Sequence, residues 1–357
     1  MADSSLPDAE TRARAARARR ERVAESFGPL LVRDPDNVFW LTGTWGLRGK
    51  GWLLFDGRGW RYLGAAGGAP KLDDVELVAA GEADLVSGIT GLLPGHPVRV
   101  DQEPGRALAR VLDRAGWTIA SREIEVARQC KDDVEVVIVA RNVGVLNEAL
   151  KAVSRLVEPG RSEIDLWREL GRRLRLAETE GVEITGNLGS GERSADEDPH
   201  AEDRRLRDGE LVLLDAYPRL AGYYADLTRT WSCGTASPKV TRMHAAVTRA
   251  LAAVGKAVGP GVVCGDLDRL AHGVLANEGY PSAYGHHTGH GFGVKQQESP
   301  WLRPGSTDVL RAGMVIAVEP ACYLPGLGGV RLEQDFLVTD RGARPLGDTS
   351  FALAPEA

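Results

Sequence analysis

GELVLLDAYPRLAGYYADLTRTW, residues 209–231, decides how this chain reads. Two strand-like runs flank a turn rich in Pro218, Arg219 and Gly222, the pattern of an antiparallel hairpin. Paired residues in a hairpin have a constant sum of numbers. Pro218 and Tyr223, the natural loop ends, sum to 441, and so do Asp215 and Asp226. That register stands the two carboxylates opposite each other on one face, with Cβ atoms ~5 Å apart. Like charges at ~4 Å repel by ~4 kcal/mol even at an effective dielectric of about 20. Something positive is expected between them.

A second hairpin, GMVIAVEPACYLPGLGGVRLEQDFLV at 313–338, repeats the defect. Glu319 and Glu333 sum to 652 around the Pro325-Gly326-Leu327 turn. Both lie in apolar strand patterns where a lone carboxylate is expensive to bury. Between the hairpins runs YGHHTGHGFG, with His286, His287 and His290 among glycines that allow close backbone approach. Taken singly, each acid reads as an exposed strand edge and each histidine as a loop residue. Taken together, four carboxylates and at least one imidazole make a hard-donor set suited to a pair of divalent cations such as Mn²⁺, Co²⁺ or Zn²⁺.

The rest of the chain supplies the frame. Its 357 residues suggest two domains, and 43% hydrophobic residues leave ample material for a core. A net charge of −6 argues against nucleic acid as a partner. No apolar run reaches the ~18 residues that would span a bilayer, so no membrane partner is expected. No secretory signal is visible, and Cys130, Cys233, Cys264 and Cys322 lie far apart without a CxxC pair. A cytoplasmic location is the expectation.

The opening stretch predicts an amphipathic helix over 8–27, its arginines on a solvated face. Strands are expected at Pro29–Val32, Val38–Thr42, Gly51–Phe55, Trp60–Leu63 and Val98–Asp101, with helical segments near 81–92 and 104–115. Trp40, Trp45 and Trp52 read as core packing first and as the lining of a site entrance second. From Ser121 apolar residues recur at helical spacing as far as Glu158-Pro159-Gly160. A second helix starts at a capping box of Ser162 and Asp165, and two more fall at 237–258 and 265–278. Strand segments at 210–217, 223–231, 284–294, 313–323 and 329–339 make the second part α+β with antiparallel strands.

The motifs LDAYPRLAGYYADLTRTW, HHTGHGFG and GMVIAVEPACYLPGLGGVRLEQDFLVTDRG resemble the pita-bread metallopeptidases: Xaa-Pro aminopeptidases, prolidases, methionine aminopeptidases and creatinases. DPDNVFWLTGTWG resembles the N-terminal domain of the creatinase–prolidase branch. The resemblance implies an α+β fold. A smaller mixed α/β creatinase/prolidase-like domain at 1–122 precedes a pita-bread catalytic domain at 123–357. It implies two metal ions, Mn²⁺ or Co²⁺ favoured and Zn²⁺ or Fe²⁺ as further options, held by Asp215, Asp226, His290, Glu319 and Glu333. A homodimer is implied as well.

In this family a hydroxide bridging two metals attacks the scissile carbonyl. Glu319 is then expected to shuttle the proton to the leaving amine. His200 matches a histidine that hydrogen-bonds the substrate, and His286 one found in the Xaa-Pro branch, with His287 as its companion. Arg331 resembles an arginine that supports the site, and Asp335 is a candidate acceptor behind the ligands. The chain departs from the pattern at Gln297, where a substrate-side histidine usually stands seven residues after the metal histidine. Glutamine donates a neutral hydrogen bond but carries no proton. The implied function is an Xaa-Pro aminopeptidase or dipeptidase acting on a peptide. The alternative is a relative that hydrolyses or eliminates a C–N or other bond in a small non-peptide molecule. A non-catalytic binding module ranks last, because all five ligand positions are kept.

Overall fold

Asp8 caps the first helix, α1 (Ala9–Phe27), by accepting from the Thr11 amide. A solvated face with arginine stems covering apolar surface is expected, but Arg19 and Arg20 of α1 are buried whole; Arg20 pairs with Asp74 and donates to the Leu41 carbonyl. The chain continues through β1 (Leu30–Val32), α2 (Pro35–Thr42), β2 (Gly51–Phe55), β3 (Trp60–Gly64) and β4 (Val75–Ala79). Then come α3 (Leu85–Thr90), β5 (Val98–Val100), α4 (Arg106–Leu112), β6 (Trp117–Ile119) and α5 (Ser121–Gln129). This computed structural model describes all residues except 1–4, 45–49, 65–71, 80–84, 94–96, 178–180, 197, 281–283, 348–349 and 356–357. Trp45 and the start of the helix expected at 81–92 lie outside the described residues. Trp40 is buried as core.

The chain divides into two compact units, with the change after Arg128. The first is a mixed six-stranded sheet in the order β4-β3-β2-β1-β5-β6. The segment 38–42, expected as a strand, belongs to helix α2. A short apolar run is ambiguous between helix and strand, and here Asp34 decides by capping the amides of Asp36 and Asn37 with Pro35 in the first turn.

The second unit starts with α6 (Asp133–Ser154) and α7 (Glu163–Ala177). The single helix expected from Ser121 is two. A capping box of Asp132 and Glu135 starts α6 anew, and Lys131 between the helices turns inward to a buried ion pair with Glu298 at 2.9 Å. The Ser162–Asp165 box of α7 forms as expected, with reciprocal bonds of 3.1 and 3.2 Å.

Strands β7 (Val182–Glu183), β8 (Gly186–Ser190), β9 (Leu211–Ala216), β10 (Arg219–Leu220), β11 (Tyr223–Tyr224) and β12 (Leu227–Ser232) follow. Helices α8 (Pro238–Ala257) and α9 (Cys264–Asn277) come next. The chain ends in β13 (Gly289–Gly291), β14 (Glu298–Leu302), β15 (Val315–Val318), β16 (Ala321–Leu324), β17 (Gly328–Arg331), β18 (Gln334–Thr339) and β19 (Gly342–Pro345). The order β12-β9-β8 makes one antiparallel sheet and β14-β13-β15-β18-β19 another. Apolar faces of α8 and α9, such as Met243, Val247, Leu251 and Leu267, pack with Ile316, Val318 and Val338 of the larger sheet. Among the described residues no helix is long and apolar enough to cross a membrane.

The register of 652 holds on both sides of the glutamates, in Ala321↔Arg331 and in Val318↔Gln334. The register of 441 does not hold. Asp215 pairs with Thr228 and Leu220 with Tyr223, a sum of 443. Ala221 and Gly222, both at positive φ (47° and 85°), close a two-residue turn that is tighter than the loop expected from Pro218 to Tyr223. A slip of two residues keeps every side chain on its face.

Candidate metal centre

Three of the five acid and imidazole positions stand at interruptions of strands. Asp226 lies between β11 and β12, Glu319 between β15 and β16, and Glu333 between β17 and β18. At such a break the backbone leaves the ladder, so a side chain can turn to a common point. Asp215 near the end of β9 and His290 in the middle of β13 complete the set.

All five are at least 90% buried. One ligand atom each of Asp226, His290 and Glu333 lies within 4.8 Å of the others. His290 Nε2 stands 3.7 Å from both Asp226 Oδ2 and Glu319 Oε1. Its Nδ1 faces the Gly291 carbonyl at 3.0 Å and must donate there, which leaves the Nε2 lone pair towards the carboxylates. Behind the cluster, Thr228 Oγ1 donates to Glu333 at 2.8 Å, and the Asp226 amide points to Asp335 Oδ2 at 3.4 Å.

Arg331 is the cation of this cluster. It donates to Asp215 Oδ2 at 2.6 Å and to the Tyr323 hydroxyl at 3.1 Å, and its Nε stands 3.9 Å from Glu319 Oε2. The Tyr323 oxygen lies 3.0 Å from His286 Nε2, while His286 Nδ1 faces the His287 carbonyl at 2.7 Å. Both His286 nitrogens are therefore engaged, and its ring braces Tyr323 and Arg331. His287 Nδ1 stands 3.1 Å from Glu319 Oε1.

Burial and mutual repulsion raise the pKa values of Asp226, Glu333 and Asp335 well above the usual range. Asp215 is pushed up to about 6, burial and Glu319 outweighing Arg331. Glu319 goes the other way, to about 2; burial alone would raise it, and His287, His286, His290 and Arg331 overcome that. Burial lowers His286 and His290; it opposes a charge on His287 too, but Glu319 and Gln297 raise that pKa. Carboxyls whose charge is opposed by burial and by one another, with buried oxygens of Asp215 and Asp335 that have no hydrogen-bond partner, have the chemistry of a donor set for cations. The residues fit the divalent ions expected.

The cluster borders a cavity of about 730 Å³, lined by Asn187, Asp198, Tyr217, Gln297, Arg303 and Glu319 among others. His286, His287, Gln297 and Arg331 all reach it. His200 does not line it. Its side chain is exposed and its carbonyl receives Arg193 at 2.7 Å, whereas Asp198, also exposed, lines the cavity. Thr228, Tyr323, Asn187 and Asp198 are absent from the sequence reading. Strand alternation could have found Thr228, two residues from Asp226; nothing local marks the others.

Residues 140–340 match the model of metallopeptidase family M24. The chain is 32% identical over 236 residues to the uncharacterized peptidase YqhT of Bacillus subtilis, spanning 66% of this chain and 67% of that protein. It is 30% identical over 262 residues to the probable dipeptidase PepE of Mycobacterium tuberculosis, spanning 72% and 70% of the two chains. Its backbone superposes on the Xaa-Pro dipeptidase from Bacillus anthracis with a TM-score of 0.82 at 25% identity, covering 97% of this chain and 99% of that one.

Proposed function

Because the chain belongs to metallopeptidase family M24 and has the pita-bread fold of its prolidase members, we propose that it is an Xaa-Pro dipeptidase or aminopeptidase that works with two divalent cations, Mn²⁺ or Co²⁺ foremost. The observation that carries this reading is the buried convergence of Asp226, His290 and Glu333 beside a cavity large enough for a short peptide. Asp215, Asp226, His290, Glu319 and Glu333 would hold the cations. When bound, these supply Lewis acidity towards a water molecule and the scissile carbonyl.

The chain's own groups do the rest. Glu319, held ionised by its cationic and imidazole neighbours, takes the proton of the attacking water and passes it to the leaving amine. His287, whose pKa is raised beside Glu319, donates to the substrate oxygen as charge develops there. Arg331 fixes Asp215 and, through Tyr323, leans on His286. Gln297 supplies a neutral donor where a histidine would supply a charged one.

A titration of the metal-free protein with Mn²⁺ or Co²⁺ should saturate near two ions per chain. The loaded protein should cleave Xaa-Pro dipeptides or longer Xaa-Pro peptides. Glu319→Gln should lose turnover by at least 10³-fold with an unchanged circular dichroism spectrum; full activity in that variant removes the role given to Glu319. The polar cavity wall at Gln296 and Gln297 favours a second reading, hydrolysis or elimination at a small non-peptide substrate. Metal uptake without turnover of any peptide would put it first. The reading includes a homodimer in the cytoplasm, and sedimentation of the purified protein tests the first of these.

A further inference from the structure

The wall of the cavity beyond Asp215 is acidic and aromatic. Asn187 of β8 sits opposite Asp215 in the ladder with β9, and its Nδ2 donates to Asp198 Oδ1 at 2.9 Å. This tether aims a carboxylate that would otherwise swing freely in an exposed loop. Tyr217, two residues past Asp215, lines the same cavity, half-buried, with Asp198, Asp215 and Asp226 as negative neighbours of its phenol.

Two of those three acids have other work. Asp215 is matched by Arg331, and Asp226 belongs to the donor cluster. Asp198 has an amide for a partner, and among the described residues no Lys, Arg or His side chain pairs with it within 4.0 Å. Arg331 is committed to Asp215 and Tyr323, and Arg303 lies over the Trp301 ring at 5.5 Å. His200, which would have put a hydrogen-bond donor on this wall, faces solvent. An ionised carboxylate only accepts hydrogen bonds, so the wall asks the ligand for a donor. A carboxylate next to an aromatic face is a receptor for a cationic nitrogen, through a charge-assisted hydrogen bond and the ring quadrupole.

We propose that Asp198, Asn187 and Tyr217 form a specificity subsite for a positively charged side-chain nitrogen of the substrate, the guanidinium of an arginine or the ammonium of a lysine. The turnover part of this inference rests on the peptidase reading above, whereas the binding part does not. On the metal-loaded enzyme it predicts a preference for Arg-Pro and Lys-Pro peptides over norleucine-Pro, carried by Asp198. Asp198→Asn keeps the size and one acceptor and should lower kcat/KM for Arg-Pro about tenfold relative to norleucine-Pro. Because Asp198 is exposed, the variant should fold and take up metal as the wild type does.

The second arm uses calorimetry on the same two proteins with three probes. N-acetyl-argininamide offers the guanidinium, N-acetyl-lysinamide the side-chain ammonium, and N-acetyl-norleucinamide neither. Tighter binding of either charged probe than of the neutral one, weakened severalfold by Asp198→Asn, supports the subsite and tells which cation it takes. Equal binding of charged and neutral probes, or charged-probe binding that Asp198→Asn leaves unchanged, overturns it. If the wild type cleaves no Xaa-Pro peptide, the peptidase reading falls and the calorimetric comparison alone decides the subsite.

Discussion

Gln297 is one amide in a wall of charged and imidazole groups, and its neighbour explains what it can do. It lines the same cavity as His287, and burial that opposes a charge on that ring is overcome by Glu319 together with the Gln297 amide. A glutamine there orients a substrate oxygen without ever bearing charge. Gln297→His places a second imidazole beside His287 that can be cationic when the oxyanion forms. Such a donor is worth on the order of 10²–10³ in rate where the transition state needs it. Turnover of an Xaa-Pro dipeptide by Gln297→His is expected to rise at least tenfold, read as kcat at saturating substrate. A loss would mean that the amide serves the native substrate. The acids at 215, 226, 319 and 333 stood out in the sequence because carboxylates in apolar strand patterns have no cheap explanation, whereas His290 was singled out from His286 and His287 only by the family resemblance. The wall at Asn187 and Asp198 did not stand out, since its meaning depends on a loop that leaves His200 in solvent and sets the exposed Asp198 at the cavity, and single-residue chemistry does not record loop direction.

Elements misread from sequence were those in which one capping or turn residue overrides an apolar pattern. The run 38–42 was ambiguous until Asp34 capped it, and the periodicity from Ser121 hid the restart at Asp132. The hairpin of β10 and β11 was placed two residues out because its turn is Ala221-Gly222, both left-handed. That turn sets which residues face Asp215 and Asp226, so its backbone matters to the site. Gly222 at φ 85° is a conformation that a Cβ disfavours by roughly 1–2 kcal/mol. Gly222→Ala is expected to lower unfolding stability by that amount in a urea titration, and Gly222→Asn by less, because asparagine tolerates this region. Equal stability of all three proteins would show that the tight turn is not the one that forms. The second hairpin was read in its true register because Pro325-Gly326-Leu327 left little choice of turn.

For the molecule as a whole, the buried acids tie folding to metal and to pH. In the metal-free chain Asp226, Glu333 and Asp335 hold protons well above their ordinary range, and Asp215 up to about 6. Unfolded carboxyls release theirs near pH 4. The folded state therefore binds more protons than the unfolded one above about pH 4, and its stability falls as pH rises through that window. Glu319 has the opposite sign, but its contribution changes only between about pH 4 and about 2, below the window. The lowered imidazoles of His286, His290 and His244 also have the opposite sign and act below about pH 6.5, where the unfolded rings take up protons, but the three strongly raised carboxyls and Asp215 outweigh them. Treated with a chelator, the protein should melt at a higher temperature at pH 5 than at pH 7.5. Divalent ions need the same oxygens deprotonated, so they compete with the protons and bind best at the higher pH. Reloading with Mn²⁺ or Co²⁺ should thus raise the melting temperature by several degrees at pH 7.5, by less at pH 5, and reverse the order of the two. A metal-free protein that is no less stable at pH 7.5 than at pH 5 would mean that these side chains do not share one buried cluster.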